Sequence, residues 1–488
     1  MGVRNRHVDR IREMASGSCR ARWAFVIRSF AIALVAVMLP GLAWAHAAEQ
    51  GFVLLMPTDI YIAAGAATVA ASIALVGLVP VQTVVRVFRP FPLRAMQCPE
   101  QAATVVSLLS TLLFLALIWL GFNGPNDPLA NLLPLTIWTL LWVVFVVLQA
   151  VFGDLWRWLN PWTGLYRVVS ASRTPLFQLP QAARSWFAVV LLILLNLFAL
   201  ADLAPDDPER LAVVALAYWV ITFLGMLLFG AQDWLARVEV FSVFFRLMAR
   251  LSPFRFGARP AIGWPGWQAL ERPQTDPSRA VFCLVLLGSG SFDGLHETFW
   301  WLAQIGINPL EFPGRSAVIW PSTLGLLAGN IVLVAIFALA VAAGVALAYG
   351  QEQRERLGPA FTAFSVSILP IALGYHVAHY LPSFLVQIQY VGAALGDPFG
   401  RGWHLFGLGH GHVTTGFLNN AATVRVLWLT QAGAVVASHV ISVLMAHHVA
   451  VHLAQGRSAV LRCQAGLAVL MIVYTIFGLW LLASPRGV

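Results

Sequence analysis

The chain has 488 residues, of which 59% are hydrophobic and 10% charged, and its mean hydropathy is +0.78. A soluble domain carries about a quarter charged residues, so this composition excludes a soluble protein and is typical of an all-α, polytopic helical membrane protein. The formal net charge is +9, and every basic residue is an arginine. Because the arginines are scattered between apolar segments, we expect a lipid bilayer around the protein and no nucleic-acid partner.

The N-terminus has the pattern of a secretory signal peptide. An arginine-rich segment is followed by an apolar run and by the small-residue triplet Ala43-Trp44-Ala45, which resembles a cleavage site. We therefore predict a signal peptide over residues 1–45 and a single helical membrane domain over residues 46–488. Cleavage would make His46 the first residue of the mature chain, where its amine and its imidazole together suit copper.

Ten further segments are long and apolar enough to cross a bilayer, which takes about 20 helical residues. Eighteen arginines lie between these segments on one side of the predicted membrane, and five lie on the other side. Under the positive-inside rule, the arginine-rich side faces the cytoplasm, so both ends of the mature chain face outward from a bacterial inner membrane. The predicted spans are 58–80, 101–121, 131–153, 185–203, 211–230, 280–305, 322–349, 361–391, 424–452 and 463–484.

Two long loops have distinct compositions. The inner loop 231–279 alternates apolar side chains with arginines, which predicts an amphipathic helix lying on the inner membrane surface. The outer loop 392–423 contains His404, His410 and His412 among glycines and prolines. We interpret it either as an ordinary loop or as a lid over a metal site, since long loops often carry function.

Ionisable side chains inside the predicted spans are the strongest functional signal, because such groups are costly in a bilayer and usually mark function. Asp293, His296 and Glu297 have i, i+3, i+4 spacing and therefore share one face of the sixth span. A Gly-Ser-Gly-Ser run at residues 288–291 precedes them and favours a break in that helix, as in discontinuous membrane helices.

Histidines on the next spans reach a similar depth. At 1.5 Å of rise per residue, the eighth and ninth spans carry His376, His379 and His439 to the midplane or slightly outward of it. Imidazoles and carboxylates together suit a divalent transition metal such as Zn, Mn, Fe or Cu. In this hypothesis the catalytic residues are Asp293 and Glu297, and the metal ligands are His296, His376, His379 and His439. The alternative interpretation is a hydrogen-bonded polar network without metal.

A third group of histidines lies near the inner end of the ninth span. His447, His448 and His452 follow His439 by two or more helical turns. We interpret them as an interfacial, solvated cluster rather than a second site, because histidines at a helix end reach water.

Several motifs together resemble one known family. They are Ala45-His46-Ala47, the turn Asn160-Pro161-Trp162-Thr163, the runs 371–380 and 397–403, and the pair Ser438-His439. In these segments the chain resembles bacterial multi-span membrane proteins commonly labelled fenitrothion hydrolase, and the likeness covers most of the mature chain. The resemblance implies hydrolysis of organophosphorus triesters, which are small lipophilic esters, at the membrane. The residues above are consistent with that chemistry, since a metal would activate water and an Asp or Glu would accept its proton.

Two other functions fit the same residues. A metal-ion or proton transporter would place such a cluster near a broken helix and would use the inner histidine group as an exit. A haem or copper redox protein would use His376 and His439 as axial ligands from facing helices. The sequence leaves this choice open, together with the identity of the metal and whether the chain works alone, with a second subunit or as a homo-oligomer.

Overall fold

The predicted all-helical membrane fold is confirmed by the computed structural model. It describes residues 53, 55–94, 100–170, 174–257, 259–308, 314–350, 354–403, 405 and 413–486. Within these ranges, nine helices are long and apolar enough to cross a membrane. The predicted signal peptide, His46, His404, His410 and His412 lie outside the described residues, so the hypotheses about them stay predictions.

The described elements are the long helices of the bundle, short helices that connect them and one small sheet. The helices are α1 (Thr58–Leu78), α2 (Val81–Val87), α3 (Glu100–Asn123), α4 (Leu132–Phe152), α5 (Trp156–Leu159), α6 (Thr163–Ser170), α7 (Trp186–Ala201), α8 (Pro208–Phe229), α9 (Ala231–Arg237), α10 (Val240–Ala249), α11 (Trp267–Leu270), α12 (Pro277–His296), α13 (Phe299–Gln304), α14 (Arg315–Tyr349), α15 (Leu357–Ser365), α16 (Ile368–Gly396), α17 (Ala421–Leu453) and α18 (Arg457–Ala483). Three strands, β1 (Phe91–Pro92), β2 (Phe254–Arg255) and β3 (Ala261–Ile262), form an antiparallel sheet in the order β1-β3-β2.

Each of the ten predicted spans corresponds to described helix. Nine match the long apolar helices, and the tenth, predicted at 185–203, is the 16-residue helix α7. At 1.5 Å per residue, α7 rises about 24 Å, a little less than the hydrocarbon core of a typical bilayer. It packs against α12 and α14, which places its buried face in the protein interior.

The sixth span differs from its prediction, because the helix breaks later. α12 is continuous through residues 288–291, so the predicted break there is wrong, and the segment 280–305 is instead divided between α12 and α13. Thr298 produces the break. Its backbone is extended, its hydroxyl donates to the Leu295 carbonyl (2.7 Å), and the same oxygen accepts the Trp301 N–H (3.2 Å). This is N-capping of the following helix.

The small residues at 288–291 serve helix packing. A Cβ at Gly288 would meet the side chain of Asn330 on α14 at 2.5 Å, and the Asn330 amide donates to the Ser289 hydroxyl at 3.1 Å. Small residues let membrane helices approach closely where lipid provides no hydrophobic driving force between them. The run therefore tightens the contact between α12 and α14.

The eighth span is interrupted beside a proline. α15 ends at Ser365 and α16 begins at Ile368, just before Pro370. Proline has no N–H to donate to the carbonyl four residues earlier, so the helical hydrogen-bond pattern is interrupted at this point. The interruption lies about two turns before the histidines of α16.

The prediction of a surface helix in the inner loop 231–279 is wrong. It contains α10, but this helix is buried in the protein and does not lie on the membrane surface. Its apolar face is covered by aromatic side chains of neighbouring elements: Phe244 contacts Trp142, and Phe245 contacts Phe145 and Trp156. The helix is therefore amphipathic, as its pattern predicts, but its apolar face packs against protein and not against lipid.

Candidate metal centre

Three predicted site residues meet at the C-terminal end of α12. Asp293 and His296 lie in its last turn, and Glu297 follows as the C-cap. One donor atom from each residue lies within 4.8 Å of the others. The shared helix face predicted from their spacing is thus present. Unpaired carbonyl groups give a helix C-terminus partial negative charge, which stabilises a cation there.

The hydrogen bond of His296 determines which nitrogen of its ring could hold a metal. Its Nδ1 lies 2.6 Å from the backbone carbonyl oxygen of Asp293, to which it donates when the ring is neutral. The lone pair then resides on Nε2. Metal-binding histidines typically hold their second ring nitrogen in this way, which fixes both the tautomer and the ring orientation.

Asp293 is buried and is held by two residues of α16. The His379 Nε2 lies 3.1 Å from Asp293 Oδ2, and the Tyr380 hydroxyl donates to the same oxygen at 2.5 Å. The ring of Tyr375 stacks on His379 with 6.0 Å between centroids and 8° between planes. His379, predicted as a metal ligand, therefore lies in the structure as the partner that orients the Asp293 carboxylate.

The end of the chain contributes a residue that the sequence did not single out. Thr298 pairs with Arg486, and the Phe299 N–H donates to the Pro485 carbonyl at 2.9 Å. This contact brings the Arg486 guanidinium to 3.4 Å from Glu297 Oε2. Arg486 is far from α12 in sequence, and the one available signal was that topology places the C-terminus and the end of α12 on the same side.

A cavity of about 390 Å³ opens beside the three donor residues. It lies at the end of the bundle where α7, α12 and α18 end and where α8 and α14 begin. By the distribution of arginines, this end is the predicted outer one. Its walls are both charged and aromatic, and besides the donor residues they include Trp138, Trp142, Asp206, Arg315, His379, Tyr380, Trp428 and Arg486.

Charged groups at the end of α7 and at the starts of α8 and α14 hold together the segment that adjoins this cavity. Arg210 donates to the Asp202 carboxylate at 2.5 Å. Partial burial works to raise the pKa of Asp202, but the hydrogen bonds from Arg210 and from the Ala204 N–H, together with the charges of Arg210 and Arg315, leave the pKa below its usual value. The Arg315 guanidinium donates to the carbonyl oxygens of Ala199 (3.3 Å) and Asp202 (3.0 Å), which fixes it at the rim.

Besides His379, two of the predicted ligands do not join the donor group. His376 lines a narrower cavity of about 40 Å³, which adjoins the first at Asp293, and its Nε2 lies 2.8 Å from the Trp142 carbonyl oxygen. His439 is buried, its Nδ1 lies 2.8 Å from the Val435 carbonyl oxygen, and it lines neither cavity. The expectation that all six groups converge on one cation is therefore not met by these two histidines.

The inner histidine group is only partly solvated. His452 is exposed, whereas His447 is buried, with its Nδ1 at 3.1 Å from the Gln464 side-chain oxygen. The rings of His448 and His452 lie 4.5 Å apart. These residues occupy the last turns of α17, at the end of the bundle opposite the cavity.

Comparisons of the chain with protein-family models, with curated proteins and with solved structures find no match.

Proposed function

We propose that this protein is a metal-dependent membrane hydrolase of lipophilic esters, with organophosphorus triesters among its substrates. The observation that carries the proposal is the donor group of Asp293, His296 and Glu297, which is compact and opens onto the 390 Å³ cavity. One imidazole and two carboxylates suit Zn, Mn or Fe. Because these residues fill at most three coordination positions, others remain for water and substrate, as catalytic metal sites require.

Each residue of the centre has a distinct role in this proposal. Asp293 and His296 would hold the metal, which would supply an activated water and polarise the carbonyl or phosphoryl oxygen of the ester. His379 and Tyr380 keep the Asp293 carboxylate in one orientation through their bonds to Oδ2. Glu297 has a side chain that is 40% exposed, the most open of the acids at the centre, and we assign it to accept the proton of the water.

The rest of the cavity suits an aryl phosphotriester. Arg315 and Arg486 place guanidinium groups on its wall, and such groups stabilise negative charge that develops on phosphoryl oxygens. Trp138, Trp142 and Trp428 offer aromatic surface for a leaving group such as a nitrophenol. A nitrophenolate is a good leaving group and needs little help from an acid.

We also propose a location and an orientation. The apolar helices place the chain in a membrane, and the arginine distribution favours a bacterial inner membrane with the cavity on the outer face. Neutral triesters partition into a bilayer, so a site at the end of a transmembrane bundle receives them at high local concentration.

The test is to measure metal content and turnover on the same detergent-purified protein. Wild type is expected to contain about one metal ion per chain by elemental analysis and to hydrolyse a p-nitrophenyl dialkyl phosphate. Asp293→Asn and His296→Ala should lose the metal and at least about a hundredfold of turnover. His452→Ala, exposed at the opposite end of the bundle, is the matched control and should keep both.

A wild-type protein that binds neither Zn²⁺ nor Mn²⁺ after reconstitution, with turnover equal in Asp293→Asn, would exclude the proposal. Transport is the second candidate function, because the narrower cavity extends from Asp293 to His376 and Asn196. Uptake of Zn²⁺ into proteoliposomes separates the two, since the hydrolase proposal expects none above protein-free vesicles.

A further inference from the structure

We propose that a second, apolar cavity binds the hydrocarbon arm of the ester substrate and admits it sideways from the bilayer. This inference rests on the proposed function and specifies the substrate as an ester with an alkyl or aryl arm. The cavity has a volume of about 420 Å³ and lies between α3, α4, α7 and α8. No charged residue lines it among the described part of the chain, and its walls are leucine, valine, phenylalanine and tryptophan side chains with few polar groups.

A thin wall separates this apolar cavity from the metal centre. Trp138 lines both cavities, and its ring stacks on Phe198 with 6.3 Å between centroids and 26° between planes. The Trp138 indole N–H donates to the Pro205 carbonyl oxygen at 3.3 Å, and Pro205 lines the cavity of the metal centre. One indole therefore divides the polar space from the apolar one.

The helix that carries this wall has an unusual backbone. Residues Leu135–Phe145 of α4 form a π-helix, a wide conformation that occurs mostly as single turns and often at functional sites. This segment supplies Trp138 and Trp142 to the metal-centre cavity, and Leu141 and Phe145 to the apolar one. It is the element that connects the two spaces, and a rotation of its Trp138 side chain would join them.

The apolar cavity opens toward lipid. Its outer rim includes Leu113 of α3, Leu194 of α7 and Val214 of α8, which are 63%, 53% and 39% exposed. All three lie on apolar helices of the bundle, where the solvent of an exposed side chain is the bilayer. A lipophilic molecule dissolved in the membrane therefore meets this opening without passing through water.

The lining selects the chemistry of the occupant. A polar or charged group placed here would lose its hydration without gaining partners, which is strongly unfavourable. A hydrocarbon arm gains free energy with each buried methylene group. An ester with such an arm fits both spaces at once, with its reacting group beside Asp293 and its arm beyond Trp138. An ordinary membrane lipid chain would fill only the apolar space, and the experiment distinguishes the two.

The test uses a photoreactive probe and a matched pair of variants. The probe is a p-nitrophenyl phosphotriester whose octyl arm ends in a diazirine, applied to the Asp293→Asn protein so that it is not consumed. Labelled peptides are mapped by mass spectrometry. Val214→Trp fills the cavity, whereas Val213→Trp adds the same indole to the same lipid-facing helix at a position that does not line it. An octanol carrying the same diazirine reports on lipid-like occupancy.

The proposal expects label in α4 and α8 that Val214→Trp reduces about tenfold and Val213→Trp leaves unchanged. In otherwise wild-type protein, Val214→Trp should raise KM for the octyl triester about tenfold and change KM for the dimethyl triester less than twofold. If the label and its sensitivity to Val214→Trp are found without any hydrolysis by wild type, this inference stands and the proposed function fails. If hydrolysis occurs but both tryptophan variants behave alike, or if the octanol probe labels the cavity equally well, the inference is overturned.

Discussion

Asp293 is the residue on which the contacts of the centre converge. Its backbone carbonyl oxygen accepts a hydrogen bond from the His296 ring, and its Oδ2 accepts hydrogen bonds from His379 and Tyr380. A carboxylate buried among helices is unfavourable unless charge or hydrogen bonds compensate it, and a hydrogen bond to a charged group contributes about 1.5–3 kcal/mol. The two donors from α16 therefore stabilise the charged form, and they leave Oδ1 as the oxygen available to a cation.

Removing one of these donors should weaken metal binding without unfolding the protein. Tyr380→Phe deletes the hydroxyl that donates to Asp293 and keeps the ring. We expect about a 10- to 100-fold loss of Zn²⁺ affinity, the usual effect of losing an outer partner of a metal ligand, measured by competition with a chromogenic chelator. Tyr390→Phe removes a hydroxyl from the same helix away from the centre and is the control. Equal affinities in the two variants would show that Tyr380 does not position the ligand.

For the residues of the candidate site, the sequence predicted correctly only which of them share one face of α12. Helical periodicity puts Asp293, His296 and Glu297 on one face whatever surrounds them. In the structure their donor atoms do lie close together. His376 and His439 were grouped with them by depth, but depth along a helix does not determine the direction in which a side chain points. That direction depends on how the helices pack. In the structure the His376 ring points toward the backbone carbonyl of Trp142. Arg486 was missed because only the fold brings the chain end to α12.

The C-terminal half of α12 shows how small residues position the centre. Gly294 packs against Tyr375, and a Cβ on this glycine would collide with the Tyr375 hydroxyl oxygen. Gly290, one turn earlier, has room, since its Cβ would lie 3.6 Å from the Tyr375 ring. Both glycines lie within the helix, where alanine is intrinsically favoured by about 1 kcal/mol. Packing and helix propensity therefore oppose each other at Gly294 and not at Gly290.

The two glycines give opposite predictions for the same substitution. Gly294→Ala should destabilise the protein by about 1–3 kcal/mol, because overpacking displaces Tyr375 and with it the stacked His379. Gly290→Ala should be neutral or slightly stabilising. Thermal denaturation in detergent, followed by fluorescence-detected size exclusion, measures both. A melting temperature of Gly294→Ala at or above that of Gly290→Ala would contradict the packing described for this helix.

The sequence predicted which helices are present, but it did not predict where each helix breaks or what covers it. Among the described residues, hydropathy located the nine long apolar helices and the shorter helix α7, because a bilayer imposes the length of an apolar segment. The break in the sixth span was predicted at residues 288–291 because glycine-rich runs interrupt discontinuous membrane helices. Inside a membrane protein the same residues allow close helix contact, and the break comes instead at the Thr298 cap. α10 was recognised as amphipathic, but a pattern cannot say whether protein or lipid covers its apolar face.

In the whole molecule, the ionisable side chains form two groups at opposite ends of the helix bundle. The candidate metal centre, its cavity and both of its arginines lie at one end, and the inner histidine group lies at the other. Most arginines lie in the loops at the histidine end. The orientation that we propose, with the cavity in the outer compartment, is the one that satisfies the positive-inside rule.

This orientation is tested with single cysteines in a variant that lacks the four native ones. Asn126 lies in an exposed loop at the cavity end, and Gln181 is exposed at the opposite end. Because a charged maleimide does not cross the bilayer, Asn126→Cys should react in intact spheroplasts, and Gln181→Cys should react only after permeabilisation. An impermeant chelator added outside should then stop hydrolysis in intact cells. The reverse labelling pattern would place the centre on the cytoplasmic side, and the chelator would act only on broken cells.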